Sequence, residues 1–460
     1  MSGGIMVRSS DERPANADGR APREQWQSRW GFVLAAVGSA VGLGNMWRFS
    51  YLAAEKGGAG FVALYLLFTI LIGLPVMLAE LTIGRGARTG PISALEQFGG
   101  PAWRWLGIVF VTAGFLILSY YGVIGGWTLR YSFEAAFLGF AADSGAHFGE
   151  IASGWDSLAT QLLFMAITMM VVAGGIGGGI ERVAKVAMPG LFLVMIGIAL
   201  YASMLEGSGV GYAYYLNFDI RKALTLDVIV AAAGQAFFSL SLGMGAMLTF
   251  ASYLPRQSDL VRDTVVISFS DFGVAFMAGL MVFPLIFALG MGNDISGSTI
   301  GALFVALPKA FAAMGAVGRV VGTAFFLALV VGALTSAVSL LEVVVSAAID
   351  AFGWERGRAA FLAGLAVTVA GTWSAFDIEI LDLADGIATN IFLVGGGLAI
   401  AIFVGWVMPD PVAEASAGGQ RGAIHVLWRN LLRFVVPIAL AVILWHSVQE
   451  TWTQFTGLID

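Results

Sequence analysis

The sequence contains no cysteine, so disulfides, thiolate metal sites and thiol catalysis are excluded at once. Charge is almost as scarce. Asp, Glu, Lys and Arg make up 12% of 460 residues, about half the usual share of a globular protein. So little charge cannot cover the surface of a water-soluble chain of this length, which removes soluble enzymes and disordered proteins from consideration. The formal net charge is −6 and no basic stripe occurs, which argues against nucleic-acid binding. Histidine is limited to His147, His425 and His446, a poor basis for a zinc site.

What the chain has in excess is apolar surface. Apolar residues reach 58%, mean hydropathy is +0.85, and there are 61 glycines. Glycine is enriched where membrane helices pack closely or break. A spanning helix needs about 20 mainly apolar residues. Such runs occur at 30–53, 60–84, 103–136, 158–175, 186–205, 226–251, 264–292, 318–349, 359–375, 383–407 and 426–447. The fold class expected is therefore an all-α polytopic membrane protein with about eleven transmembrane helices. Residues 1–29 are polar and lack an apolar core and a small-residue cleavage site, so they read as a cytoplasmic tail. Residues 30–407 hold the first ten spans. Residues 408–424, with Pro409 and Pro411, read as a cytoplasmic linker, and 425–460 as the last span and an outer C-terminus.

Basic residues cluster in alternate loops, which sets the orientation in a membrane. Arg8, Arg13, Arg20, Arg23 and Arg29 precede span one. Arg85, Arg88 and Arg104 follow span two, Arg182 and Lys185 follow span four, and Arg256 and Arg262 follow span six. Arg356 and Arg358 follow span eight, and Arg421, Arg429 and Arg433 lie around the start of the last span. The opposite loops carry acids such as Asp143, Glu150, Glu206, Asp294 and Asp377, with Lys222 and Lys309 as mild exceptions. The expectation is a multi-pass protein of the plasma or inner membrane, with its N-terminus cytoplasmic and its C-terminus outside.

Two spans are poor helices. Span one contains Gly38-Ser39-Ala40-Val41-Gly42-Leu43-Gly44-Asn45, and span six contains Ser239-Leu240-Ser241-Leu242-Gly243-Met244-Gly245. Broken backbone at membrane depth is tolerated only where it is buried or lines a cavity. The two breaks hold matching places if the first ten spans are two units of five. That pattern points to an inverted repeat with a binding site at the breaks. Freed carbonyls can take a cation, and half-helix N-termini can take an anionic group. Taken singly, each stretch reads as a site of close helix packing; the correspondence of the two favours a site.

These residues resemble the neurotransmitter:sodium symporter family, including its bacterial amino-acid transporters of the LeuT-like type. The resemblance is carried by Trp30-Gly31-Phe32 leading into the first break, Trp47-Arg48-Phe49, Glu80-Leu81-Thr82-Ile83-Gly84-Arg85 and Tyr120-Tyr121. Gly234 to Ser241, Thr249 to Tyr253, Leu307-Pro308-Lys309 and Ala333 to Ser336 continue it. It extends from Arg23 to the last span.

The resemblance implies a 5+5 inverted repeat with helices 1 and 6 broken, sodium-coupled uptake by alternating access, and no enzyme activity. It implies a substrate site at Ser39, Ala40, Gly44, Ile117, Tyr121, Phe238, Ser239, Ser241, Met244, Ser336 and Leu340. Those walls carry no charge, and an unpaired buried charge is costly, so a neutral amino acid with a hydrophobic or aromatic side chain is expected. Two sodium sites are implied, both all-oxygen as a hard cation requires. The first would use Ala40, Asn45, Ser239 and Asp271; the second Gly38, Val41, Gly332, Thr335 and Ser336. Without the resemblance, Tyr121 reads as a core aromatic, and Thr335-Ser336 as hydroxyls bonded to their own helix.

Asp271 departs from the chloride-dependent members, which have a neutral residue there. An acid inside an apolar span is functional by default. Beside Tyr65, Gln235 and Ser239 it would replace the anion, so no chloride is expected. A slip of one residue would put Ser270 there instead. Glu80 is expected to support the break of span one, or else to be an interfacial acid. Arg48 and Asp385 would form the outer gate, with Phe238 beneath. Arg23 and Trp26 would lock against Asp350 near Ser252 and Tyr253 on the inner side.

Rival readings are a symporter of the same fold for another small amine or carboxylate, a non-transporting amino-acid sensor, a membrane enzyme and a channel. The enzyme lacks a mid-membrane catalytic constellation. The channel lacks repeated filter loops or rings of charge. The partners expected are a small-molecule amino acid and the lipid bilayer, not nucleic acid.

Overall fold

The computed structural model describes residues 23–291, 299–417 and 422–457. Most of the expected tail (residues 1–22, with Arg8, Arg13 and Arg20), Asp294, Arg421 and the last three residues lie outside the described residues. Among the described residues every long element is a helix. The first span divides into α1 (Arg29–Ala40) and α2 (Gly44–Lys56), bent by 63°. Next come α3 (Ala59–Ala87), α4 (Pro101–Phe137), α5 (Trp155–Ala173) and α6 (Ile176–Ser203). The sixth span is α7 (Leu226–Ser239) and α8 (Ala246–Ala251). The rest are α9 (Leu260–Ala288), α10 (Gly315–Phe352), α11 (Arg356–Phe376), α12 (Ile378–Val407) and α13 (Ala423–Gln449).

Nine of these helices are long and apolar enough to cross a membrane, and the bent pair makes ten. The remaining expected span, the sixth at 226–251, is two helices of 14 and 6 residues, each too short to span by itself. Helix α10 is the hub: 72% of its apolar window is buried, against 22% for α13 at the periphery. Its closest neighbour is α4.

Several helices outrun their apolar stretches. Helix α6 starts at Ile176, not near 186, and so takes in Glu181, Arg182 and Lys185. Helix α9 starts at Leu260 and includes Arg262 and Asp263. The charges are tolerated because they are partnered. Glu181 is fully buried, yet accepts from the Gln27 amide at 2.7 Å and the Ser28 hydroxyl at 2.8 Å. Asp263 pairs with Arg29 at 2.7 Å. The expected linker 408–424 contains a short helix, Pro411–Ala415, whose Glu414 meets the buried Arg85.

The breaks have different local causes. At the first, Val41 leaves the helix with ψ 108°, and the chain resumes in a π-helical turn, Gly44–Arg48. At the sixth, Ser241, Gly243 and Gly245 all take positive φ, which favours glycine. A Cβ on Gly243 would also stand 2.1 Å from the Leu393 carbonyl oxygen, so only glycine fits there.

Candidate functional site

The two breaks face each other. Ser241 Oγ donates to the Ser39 carbonyl at 3.0 Å, and Asn45 Nδ2 donates to Ser239 Oγ at 2.8 Å. Between them lies a cavity of about 840 Å³. Every residue assigned above to the substrate pocket lines it, as do Asn45, Arg48, Tyr120, Ser339 and Asp385. The charged residues on its wall, Arg48, Glu379, Asp382 and Asp385, all belong to α2 and the first half of α12. The deep part is apolar or carries hydroxyls. The Leu43 amide faces the Tyr121 hydroxyl at 3.4 Å.

Beside the cavity, Asp271 is fully buried in a cluster from four helices. Its carboxylate accepts from Asn45 Nδ2 at 2.6 Å, Ser239 Oγ at 2.7 Å and the Tyr65 hydroxyl at 3.2 Å. Asn45 Oδ1 accepts from the Gly42 amide at 3.0 Å, pinning the side chain across the break. Gln235 sits next to this group and donates to the Gly44 carbonyl at 3.3 Å. Ser270 takes no part. Of the residues named for a first cation, Ala40, Asn45 and Ser239 line the cavity, and Asp271 joins Asn45 and Ser239 from behind.

The second oxygen-rich spot joins α1 to α10. Ser336 Oγ lies 3.4, 3.3 and 3.3 Å from the carbonyl oxygens of Gly38, Ser39 and Val41. Thr335 Oγ1 lies 3.1 Å from the Gly332 carbonyl, and a Cβ on Gly38 would meet it at 3.2 Å. Four backbone carbonyls and two hydroxyls converge here. This is the donor chemistry of a hard monovalent cation.

The cavity continues past Arg48 and Asp385, whereas the Arg23 end is sealed. Arg23 donates to both Asp350 oxygens at 3.1 and 3.3 Å and to Ser252 Oγ at 2.8 Å, and its guanidinium lies 4.6 Å above the Tyr253 ring. Trp26 is buried, donates to the Phe250 carbonyl at 2.9 Å and packs edge-on against Phe32 and Phe250. At the other end the expected Arg48–Asp385 pair is not formed. Arg48 sits 4.4 Å over the Phe238 ring, and Asp385 accepts from Tyr120 at 2.8 Å. Both residues line the cavity.

A family model described as the sodium:neurotransmitter symporter family matches residues 23–147 and 133–456. The chain belongs to that family. It is 36% identical over 439 residues to the uncharacterised sodium-dependent transporter YhdH of Bacillus subtilis, covering 91% of this chain and 96% of that one. A sodium-dependent transporter of Methanocaldococcus jannaschii is 34% identical over 456 residues, covering 95% and 92%. Among solved structures, MhsT in complex with L-phenylalanine shares 42% identity with a TM-score of 0.84, covering 93% of this chain and all of that one. The protein is thus a multi-pass, sodium-dependent symporter-family transporter of the LeuT type, and not an enzyme.

One expectation needs correction in this family setting. Glu80 does not support break one. It accepts from the Gly243 amide at 2.8 Å and the Leu248 amide at 3.3 Å, both at break six. The left-handed residues there free those amides from helical partners, and a buried carboxylate meets the demand. Residues 23–28 form a strap with named anchors, to which Glu24 and Gln27 add contacts beyond those expected of Arg23 and Trp26. Sequence reasoning also missed Glu342, although it lies in an apolar span. It accepts from Tyr253 at 2.5 Å and from Arg356 at 2.8 and 3.1 Å, while Arg356 also holds Glu24 at 2.8 Å. The rule that flagged Asp271, an acid inside an apolar span, flags Glu342 equally.

Proposed function

We propose that the protein is a sodium-coupled symporter taking up a neutral amino acid with a hydrophobic or aromatic side chain by alternating access. The observation that carries this reading is the cavity at the two breaks, with polar backbone at one wall and an uncharged deep end. An acidic or basic side chain would be buried there without a partner. The substrate carboxylate would lie against break one, near the Leu43 amide and the Tyr121 hydroxyl. The likeness to MhsT, solved with L-phenylalanine, supports the substrate class.

Two sodium ions would travel as co-substrates. One would use the Ala40 carbonyl, Asn45, Ser239, Asp271 and the substrate carboxylate; the other the carbonyls of Gly38, Val41 and Gly332 with Thr335 and Ser336. Asp271 supplies a fixed negative charge at the first position, so chloride is not required. Cation and substrate share break one, so each raises the other's affinity by the same factor. The Arg23 end faces the cytoplasm in this reading, in line with the basic loops, and the Arg48 end faces outward. Arg48 and Asp385 would close over Phe238 once the substrate is bound, and the Arg23 lock would then open.

The test is binding to purified protein of each of the twenty amino acids, with sodium, lithium or potassium. Sodium-dependent binding of an apolar or aromatic amino acid, with sodium affinity lowered about tenfold or more in Asn45→Ala and Thr335→Ala, is the expected result. Binding of no amino acid under any cation would overturn the reading.

A further inference from the structure

Arginines at the Arg23 end of the bundle are used in two ways. Arg23, Arg29, Arg85 and Arg356 each face an acid: Asp350, Asp263, Glu414 and Glu342. Arg429 and Arg433, four residues apart near the start of α13, are half-buried and have no acid partner among the described residues. The two acids of the linker before them are engaged elsewhere. Asp410 accepts from the Ala413 amide at 3.2 Å, and Glu414 holds Arg85.

An ordinary interfacial arginine keeps its head free in water. Arg433 is instead fixed in place. Its Nε donates to the Gly405 carbonyl at 2.6 Å, and its guanidinium lies 5.2 Å from the centre of the Trp406 ring. Gly405 permits this close approach, because a Cβ there would stand 3.0 Å from the Leu432 carbonyl oxygen and 3.2 Å from Arg433 Cγ. With Nε spent on Gly405, both Nη groups of Arg433 are left without a partner among the described residues. Arg429 Nε is shielded and equally unmet. Two guanidiniums on one stretch of helix, each with unused donors, suit the oxygens of a phosphate.

Their level in the membrane says what carries the phosphate. Arg433 immediately precedes the apolar run of α13, residues 434–445, so it stands where hydrocarbon gives way to headgroups. Beside it, Ile402, Trp406, Phe434 and Ile438 are exposed on α12 and α13, with Trp406 edge-on to Phe434. Aromatic side chains settle at this level of a bilayer, and exposed apolar side chains on spanning helices meet acyl chains. A soluble phosphate compound would use the arginines and leave this face unused; a phospholipid uses both. We propose that Arg429 and Arg433 bind the phosphate of an anionic phospholipid, such as phosphatidylglycerol, in the leaflet at the Arg23 end. A headgroup held there fastens the peripheral α13 to α12 through Gly405.

The experiment titrates purified protein in neutral detergent with phosphatidylglycerol or phosphatidylcholine of the same acyl chains, and counts bound lipid by native mass spectrometry. One arginine near an anionic headgroup gives about fivefold, and two about thirtyfold, so phosphatidylglycerol should bind about thirtyfold more tightly than phosphatidylcholine. Arg429→Gln and Arg433→Gln should each cut that preference about fivefold. Arg256→Gln, an exposed arginine at the same end, should leave it unchanged. Position is read by fluorescence. Phosphatidylglycerol brominated near the head of its acyl chains should quench tryptophan more than brominated phosphatidylcholine does, and the excess should vanish in Trp406→Phe. If Arg433→Gln does not fold, Arg429→Gln supplies the reading. A wild-type preference below about twofold, or one untouched by Arg429→Gln, overturns the inference. Displacement of the lipid by millimolar inorganic phosphate would assign the arginines to a soluble anion and overturn it too. Binding is measured without an amino acid, so the result stands apart from the substrate reading above.

Discussion

Removing the Arg23 side chain should shift the carrier toward a state open at the Arg23 end. Arg23 makes a two-pronged contact with Asp350 and a further bond to Ser252, and the ion pair is mostly shielded, with side chains 16% and 18% exposed. Hydrogen bonds to charged groups contribute about 1.5–3 kcal/mol each, and an exposed ion pair only about 0–1 kcal/mol. A partly shielded pair lies between, and Asp350 keeps the Gly90 amide as a partner in the variant, so the loss is about 2 kcal/mol. That corresponds to roughly a 30-fold rise in the population open at this end. The chain has no cysteine, so a single introduced thiol is an unambiguous reporter. Ser346 suits the purpose: it is buried, sits one turn before Asp350 on α10, and lies against Gly90. In Ser346→Cys, thiol labelling tracks the open population as long as closing outpaces the reagent. Adding Arg23→Ala should raise the labelling rate about 30-fold. Asp350→Asn should do much the same, and the two together should not add. A rate within about twofold of the parent, or fully additive effects, would refute the lock.

Three further outcomes follow from the same geometry. Uptake should be unaffected when gluconate replaces chloride, and Asp271→Ser should make it depend on chloride, because the cluster around Asn45 and Ser239 then lacks its negative charge; a chloride requirement in the wild type would sink this account. Phe238→Leu should speed substrate release roughly three- to tenfold, since it removes both the ring beneath Arg48 and its cation–π contact, read from dissociation of bound radioligand; an unchanged off-rate would show that the ring is no lid. Glu80→Gln should lower thermal stability in detergent by about 1–3 kcal/mol, because an amide NH₂ is then turned toward a backbone donor at break six; an unchanged melting temperature would remove Glu80 from that role.

The parts of this architecture legible in the sequence are those where apolar pattern fails. Glycine and hydroxyl residues in spans one and six stand out because they cluster at corresponding places in the two units, where close packing alone would not put them. Asp271 stands out because an acid is costly at that depth. Once the two breaks are placed opposite each other, the cavity wall follows with little further information. Partnership between charges near helix ends was harder to read. Glu24, Glu181, Asp263 and Arg356 look like interfacial charge, because sequence alone does not show that residues 23–29 fold back across the helix ends. The same blindness shortened α6 and α9, since a hydropathy run stops at a charge while a helix with paired charges continues. Glu80 reads in sequence as a support for break one or as an interfacial acid, because both breaks expose amides and only the packing of α3 against α8 places it at break six.

That packing gives the two breaks different energetics. Break six is satisfied by the protein itself: Glu80 is a permanent acceptor for its freed amides, and Gly243 is wedged against α12. Break one is not satisfied in the same way. The carbonyls of Gly38 and Val41 both approach the single proton of Ser336, at 3.4 and 3.3 Å, distances longer than a good hydroxyl bond, whereas the Ser39 carbonyl also accepts from Ser241 at 3.0 Å. One proton cannot serve both well, and a buried carbonyl without a partner is costly. A cation at this point would serve both together with the Gly332 carbonyl. The backbone of break one should therefore tighten when sodium binds, while break six should already be tight. Hydrogen exchange tests this directly. Sodium, set against an equal concentration of potassium, should slow exchange of amides in residues 38–46 about tenfold or more and leave residues 239–248 within about twofold. Equal slowing at both breaks would mean that the cation orders the whole bundle, and that the strained carbonyls of break one are not what couples sodium to the substrate site.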